Sequence, residues 1–158
     1  MALPTDITHV GAALGDRRTG LMSTLSEQRW HQRLDSFGMA LLQLKKACER
    51  EQYDDLERAG LIKTFEFCFE LSWKVLKDLL YHEGFDVKVP RAVIRKGFEA
   101  DYVSESDCET LLEALSKRNL LSHTYWSEAA EEAETLIRSC YFPVLQQLYR
   151  NLDARRTP

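Results

Sequence analysis

Ile62-Lys-Thr-Phe65-Glu-Phe-Cys-Phe69-Glu-Leu-Ser72-Trp73-Lys-Val-Leu76-Lys-Asp-Leu79-Leu80 decides the fold of this chain. Its positions Ile62, Phe65, Phe69, Ser72, Leu76 and Leu79, apolar but for the small Ser72, step by three and four, the repeat that lays one stripe along a helix. Trp73 and Leu80 widen the stripe, and Gly84 supplies the residue type that ends helices in a left-handed turn. The pattern predicts one helix over residues 55–83, about 40 Å long at 1.5 Å per residue. Within it Glu70 and Lys74 have the i,i+4 spacing of a solvated ion pair.

The same periodicity extends in both directions. Upstream, Arg29, Trp30, Leu34, Phe37, Leu41, Leu44 and Cys48 predict a helix over residues 26–51, with Ser26 as its cap. Residues 1–25 hold three of the seven glycines and no aromatic residue, so they read as a flexible N-terminal extension. Gly15 and Gly20 have phosphate-loop spacing, but Leu21-Met22 stands where Lys and Ser/Thr are required. Downstream, Pro90 opens a short crossover helix to about residue 100 carrying Val93, Ile94 and Phe98. Ser104 or Ser106 then caps a helix reaching residue 124, with Cys108, Leu111, Leu112, Leu115 and Asn119 along its seam. A last helix over residues 127–152 is acidic at its start and apolar later, and Pro143 should kink or loosen it. No hairpin or alternating strand pattern occurs. The fold class is therefore all-α. An up-down four-helix bundle over residues 26–152 is expected, with the Pro90 helix across one end and a tail at 153–158.

At 158 residues the chain has the size of one domain able to bury a core without staples. Its 44% hydrophobic and 29% charged residues describe a globular protein, and a formal charge of -4 argues against a uniformly basic polyanion binder. No stretch approaches the length of a bilayer span, and the N-terminus lacks a signal-peptide core. Cys48, Cys68, Cys108 and Cys140 form no CxxC pair and sit among apolar helical neighbours, the setting of reduced, buried thiols. A cytoplasmic location is the expectation.

No histidine has Glu three residues before it, so the di-metal pattern of helical bundles is missing and no metal is expected. No nucleophile elbow occurs either. One polar group stands out where the fourth seam runs out: Arg118-Asn119, then His123 and Tyr125. A guanidinium fork matches phosphate oxygens, and an imidazole titrates near neutral pH. The same residues also suit the capping of carbonyls at a helix end. At 100° per residue Asn119 and His123 lie about 40° apart, whereas Arg118 lies about 140° from His123. Two copies of the motif across a symmetric dimer would solve that separation.

Arg118-Asn119-Leu-Leu-Ser-His123-Thr-Tyr125 resembles the Arg-x4-His-x-Tyr motif of HEPN-domain proteins, in particular the HepT-like group, also described as nucleotidyltransferase substrate-binding proteins. Phe65-Glu66-Phe67-Cys68-Phe69-Glu70-Leu71-Ser72-Trp73-Lys74-Val75-Leu76 and Pro90-Arg91-Ala92-Val93-Ile94 are similar to that group as well, and the likeness covers about residues 28–150. The resemblance implies a dimeric helical bundle bound to a minimal nucleotidyltransferase, needing no cofactor. It implies a metal-independent endoribonuclease toxin, silenced when the nucleotidyltransferase transfers AMP to Tyr125. Carried over, Arg118 stabilises charge on the phosphorane, His123 shuttles a proton at the RNA 2'-hydroxyl, and Asn119 orients the pair. The alternative implied role is a non-catalytic subunit that helps a two-component nucleotidyltransferase hold its substrate.

Overall fold

The computed structural model describes the backbone of residues 8–121 and 128–156, and side chains from Arg17 onward within those spans except Asn119 and Leu120. The elements are α1 (Thr8–Cys48), α2 (Asp55–His82), α3 (Pro90–Glu99), α4 (Glu105–Leu121), α5 (Glu128–Leu136), a π-helical turn (Ile137–Tyr141) and α6 (Phe142–Ala154). Among the described residues there is no strand, and the fold is a compact all-helical one. No described helix is long and apolar enough to cross a membrane.

The ends of α2 are written into its sequence. The Asp54 side chain accepts a 2.7 Å hydrogen bond from the Glu57 N–H, one of the amides an α-helix cannot satisfy itself. At the other end Gly84 takes φ +97°, so Phe85 N–H reaches Leu80 C=O at 2.8 Å and Gly84 N–H reaches Tyr81 C=O at 3.0 Å. That pair of bonds closes the helix in a Schellman turn, which requires the left-handed conformation that glycine adopts without strain. Asp101, at φ 64°, plays the same part after α3, where Tyr102 N–H bonds Gly97 C=O at 2.9 Å. Ser104, rather than Ser106, caps α4, accepting from Asp107 N–H at 3.1 Å.

Helix α1 departs from expectation at its start. It begins at Thr8, not near Ser26, because isolated glycines weaken a helix by only about 1 kcal/mol each and do not forbid its propagation from a stable body. Ser26 lies inside the helix, and its hydroxyl donates to Ser23 C=O at 2.9 Å instead of capping. Residues 17–25 are exposed, and among the described side chains the first buried one is Trp30.

The core gathers the anticipated stripes. Leu34, Phe37 and Leu44 of α1 are fully buried against Ile62, Phe65, Phe69, Leu76 and Leu80 of α2. The pairing of α1 with α2 is the most extensive in the fold; α6 returns against both, and α3 lies across α2 and α4. Gly97 permits that crossing, since a Cβ there would lie 2.7 Å from the buried Leu76 Cδ2. Pro143 acts as expected: lacking an N–H, it stands just after a widened turn in which Phe142 N–H bonds Ile137 C=O. The turn brings Ile137 and Tyr141 inward. It leaves Cys140 exposed, and Cys48 is half-buried, so only Cys68 and Cys108 are the buried thiols the sequence suggested. All four are free, and burial pushes Cys68 up to about 12 and Cys48 up to about 11.

Two arginines tie α1, α2 and α5 together. Arg58 Nε donates to Glu134 at 3.1 Å and its Nη2 to Tyr53 C=O at 3.2 Å, with only 13% of its side chain exposed. Arg138 covers the C-terminal end of α1, bonding Cys48 C=O at 3.2 Å and Arg50 C=O at 3.0 Å. Arg58→Ala is expected to cost about 1–2 kcal/mol, because it removes the hydrogen-bond donor of the Tyr53 carbonyl and leaves the largely covered Glu134 carboxylate with Arg138 alone, at 3.6 Å. Urea denaturation checks this, and an unchanged midpoint would show the pair contributes nothing.

Candidate functional site

Arg118 stands in α4 about 20° from the phase of Leu111, at 100° per residue, and one turn beyond the buried Ala114. The seam of α4 thus runs through Cys108, Leu111, Ala114 and Leu121, while Leu112 and Leu115 are only partly buried. The sequence reading has Cys108 and Leu111 in common with this seam but continues it through Leu112, Leu115 and Asn119, where the structure continues it through Ala114 and Leu121. The difference matters because it aims Arg118 at α2.

There its Nη1 donates to Glu70 Oε1. The second oxygen, Glu70 Oε2, accepts from Trp73 Nε1 at 3.1 Å. Glu70 is therefore held from two sides and in turn fixes the guanidinium, with 34% and 29% of the two side chains exposed. Glu70 does not serve as the solvated partner of Lys74 that its spacing suggested. Lys74 Nζ instead lies 5.9 Å from the centroid of the Trp73 ring, and Lys77 Nζ lies 5.7 Å from it. Phe67, one turn before Glu70, is 61% exposed. The resulting patch on α2 and α4 combines a fixed cation, a carboxylate, indole and phenyl rings, and two lysines.

Of the residues singled out by the motif, the structure describes Arg118 in full and the backbone of Asn119. The Asn119 side chain, His123 and Tyr125 lie outside the described residues. Glu70 was missed as a site residue. The sequence signals for it were its place in the family-like segment Phe65–Leu76 and the phase of Arg118 relative to Leu111, which points the guanidinium toward the neighbouring helix.

Two other arrangements bear on chemistry. Ser26 Oγ lies 2.7 Å from His82 Nδ1 and 2.9 Å from Ser23 C=O, so one hydroxyl is shared between two neighbours and ties α1 to the end of α2. Among the described residues no three His, Cys, Asp or Glu side chains gather as metal ligands. A groove of about 530 Å³ lies between α1 and α6, floored by Gly38, Phe142 and Tyr149. Met39, 71% exposed, and Leu42, 60% exposed, form its lip, and Lys45 and Arg150 stand at its rim. Asp35, also at the rim, is engaged by Arg156.

No curated protein matches the chain. Among solved structures, the crystal structure of a protein from Thermus thermophilus is similar, with 27% identity and a TM-score of 0.66 over 77% of this chain and 99% of that one. The family model described as nucleotidyltransferase substrate binding protein like matches residues 32–154, which span the helical core from Leu34 to the end of α6. The chain belongs to that family.

Proposed function

We propose that this chain is the helical, substrate-binding partner subunit of a minimal nucleotidyltransferase, acting in a two-component system in the cytoplasm. Family membership supports the role. The observation that carries the physical side is the α1–α6 groove, where Met39 and Leu42 leave large apolar surfaces in water beside Lys45 and Arg150. Exposed apolar side chains flanking a concave apolar floor suit the insertion of an apolar ridge from another protein. In this reading the subunit contributes surface, and the chemistry belongs to the nucleotidyltransferase. Capture of the tagged chain from its native cell, with mass spectrometry of what is retained, is expected to yield a nucleotidyltransferase in a stoichiometric complex. Recovery of the folded chain without one overturns the reading.

A second reading is favoured by the Glu70–Arg118 pair. A guanidinium fixed by a carboxylate at the end of α4 is oriented before any ligand arrives, as stabilisation of a phosphorane requires. In the HEPN-type reading a symmetric dimer faces two such motifs across one cleft. His123 moves the proton between the ribose 2'-hydroxyl and the leaving oxygen, Asn119 orients the pair, and AMP transfer to Tyr125 silences the nuclease. RNA incubated with the purified protein in EDTA tests it. Cleavage should persist without metal and vanish in His123→Ala, and Glu70→Gln should slow it by about ten- to a hundredfold through loss of orientation. No cleavage by the folded wild type overturns this second reading and leaves the first standing.

A further inference from the structure

Helix α1 carries two seams. The first, Trp30, Leu34, Phe37, Leu41 and Leu44, steps by four and three and is buried on the side of α2 and α6. The second keeps the same seven-residue repeat on the opposite face, at positions 18, 21, 25, 28, 32, 35, 39, 42 and 46, every one of them exposed. Gln32, Met39 and Lys46 each stand two residues past Trp30, Phe37 and Leu44, about 200° round the helix. This outer seam is about 42 Å long at 1.5 Å per residue. Leu21 and Leu25 lie toward one end of it, 61% and 54% exposed, and Met39 and Leu42, the lip of the α1–α6 groove, lie toward the other. Gln28 and Gln32 stand between the two apolar pairs, the place where a polar layer fixes the register of paired helices. The half with Leu21 and Leu25 belongs to the stretch of α1 before Trp30, which precedes the residues matched by the family.

A sustained seven-residue repeat is the pattern that seats a second helix wound about the first. The residues beside the seam decide which helix. The flanking positions 17, 22, 24, 29, 31, 36, 38, 43 and 45 include Arg17, Arg29 and Lys45 and no acid. Arg18 and Lys46 close the seam at its two ends, in a chain whose formal charge is -4. The single acid within the seam, Asp35, is engaged by Arg156. A second copy of α1 therefore meets like charge in either direction. Parallel pairing stacks Arg18 on Arg18 and Lys46 on Lys46, and antiparallel pairing that sets Leu21 on Met39 brings Arg17 against Lys45 and Arg29 against Arg29. A different helix with acids at its own flanks is attracted along the whole length. We propose that the outer face of α1, from Arg17 to Lys46, seats one amphipathic helix of the nucleotidyltransferase, apolar at three-and-four spacing and acidic along both flanks. The inference rests on the partner role above and extends the partner's footprint: Met39 and Leu42 at the groove are one half of the seat, and Leu21 and Leu25 are the other. Recognition of a helix by its apolar face uses anchors at that spacing.

Titration of the full chain with the nucleotidyltransferase that it retains in the capture experiment tests the assignment, with light scattering of the chain alone as its companion. Leu21→Glu with Leu25→Glu lies outside the groove and replaces two exposed side chains by a good helix former. Circular dichroism should stay unchanged while Kd rises by at least about thirtyfold. Arg17→Glu with Arg18→Glu, which leaves the apolar seam whole, supplies a second variant, expected to raise Kd by about tenfold and to flatten its dependence on salt. An unchanged Kd for the Leu21 and Leu25 variant, with the wild-type complex intact, overturns the inference and leaves the groove alone to the partner. A charge variant that binds like the wild type, or a wild-type Kd indifferent to salt, overturns the acidic helix. Loss of a self-associated species in the leucine variant gives the face to a second copy and overturns the inference as well. A wild-type chain that retains no nucleotidyltransferase is a different result: it removes the partner itself, and the proposed function falls together with this extension of it.

Discussion

Phe65→Ala is expected to destabilise the protein by about 3–5 kcal/mol, the range for removing an aromatic ring from a closed core. Phe65 is fully buried, and its ring centroid lies 5.8 Å from that of Phe69 and 5.4 Å from that of Tyr141. The second contact links α2 to the π-helical turn, so the truncation removes more than transfer energy. It opens a void against the π-helical turn that joins α5 to α6. Urea unfolding followed by tryptophan fluorescence reads the loss directly. A change below about 1 kcal/mol would mean that the neighbouring rings close over the gap, and that the turn does not rest on this stack.

Met39→Glu combined with Leu42→Glu is expected to weaken the proposed complex with a nucleotidyltransferase by about 4 kcal/mol, roughly a thousandfold in Kd. The estimate rests on two apolar anchors becoming charges that must be desolvated in the interface. Both side chains point into water in the isolated chain, at 71% and 60% exposure, so the fold itself should tolerate the change. The thermal midpoint is the control, and it should move little. Full retention of the complex would show that the partner docks elsewhere. A variant that keeps the nucleotidyltransferase but alters its own oligomeric mass would give the groove to a second copy of this chain, and would equally overturn the assignment.

Local rules carried the reading of the sequence a long way. The stripe from Ile62 to Leu80 forms one helix because three-and-four spacing admits no other regular structure, and its burial follows from the same spacing. Gly84 and Pro90 mark real boundaries because each acts through its own backbone. Pro143 announced its irregularity for the same reason, although the form it takes, a π-helical turn, depends on Ile137 and Tyr141 finding places in the core. The start of α1 was not legible, since Gly11, Gly15 and Gly20 lower helix propensity without setting a boundary.

What the sequence by itself determined is the set of helices, most of their ends and the faces they bury, all consequences of interactions within a few residues along the chain. What only the tertiary structure decided is which polar groups meet. Glu70 and Arg118 are 48 residues apart, and α4 had to settle on Leu111, Ala114 and Leu121 before the guanidinium could reach α2. Asp78 joins Arg29, Arg33 and Lys88 only because α1 lies along α2 and the chain doubles back after Gly84. Such contacts depend on helix rotation and crossing, which the summed packing of the whole core fixes and no short window of residues encodes.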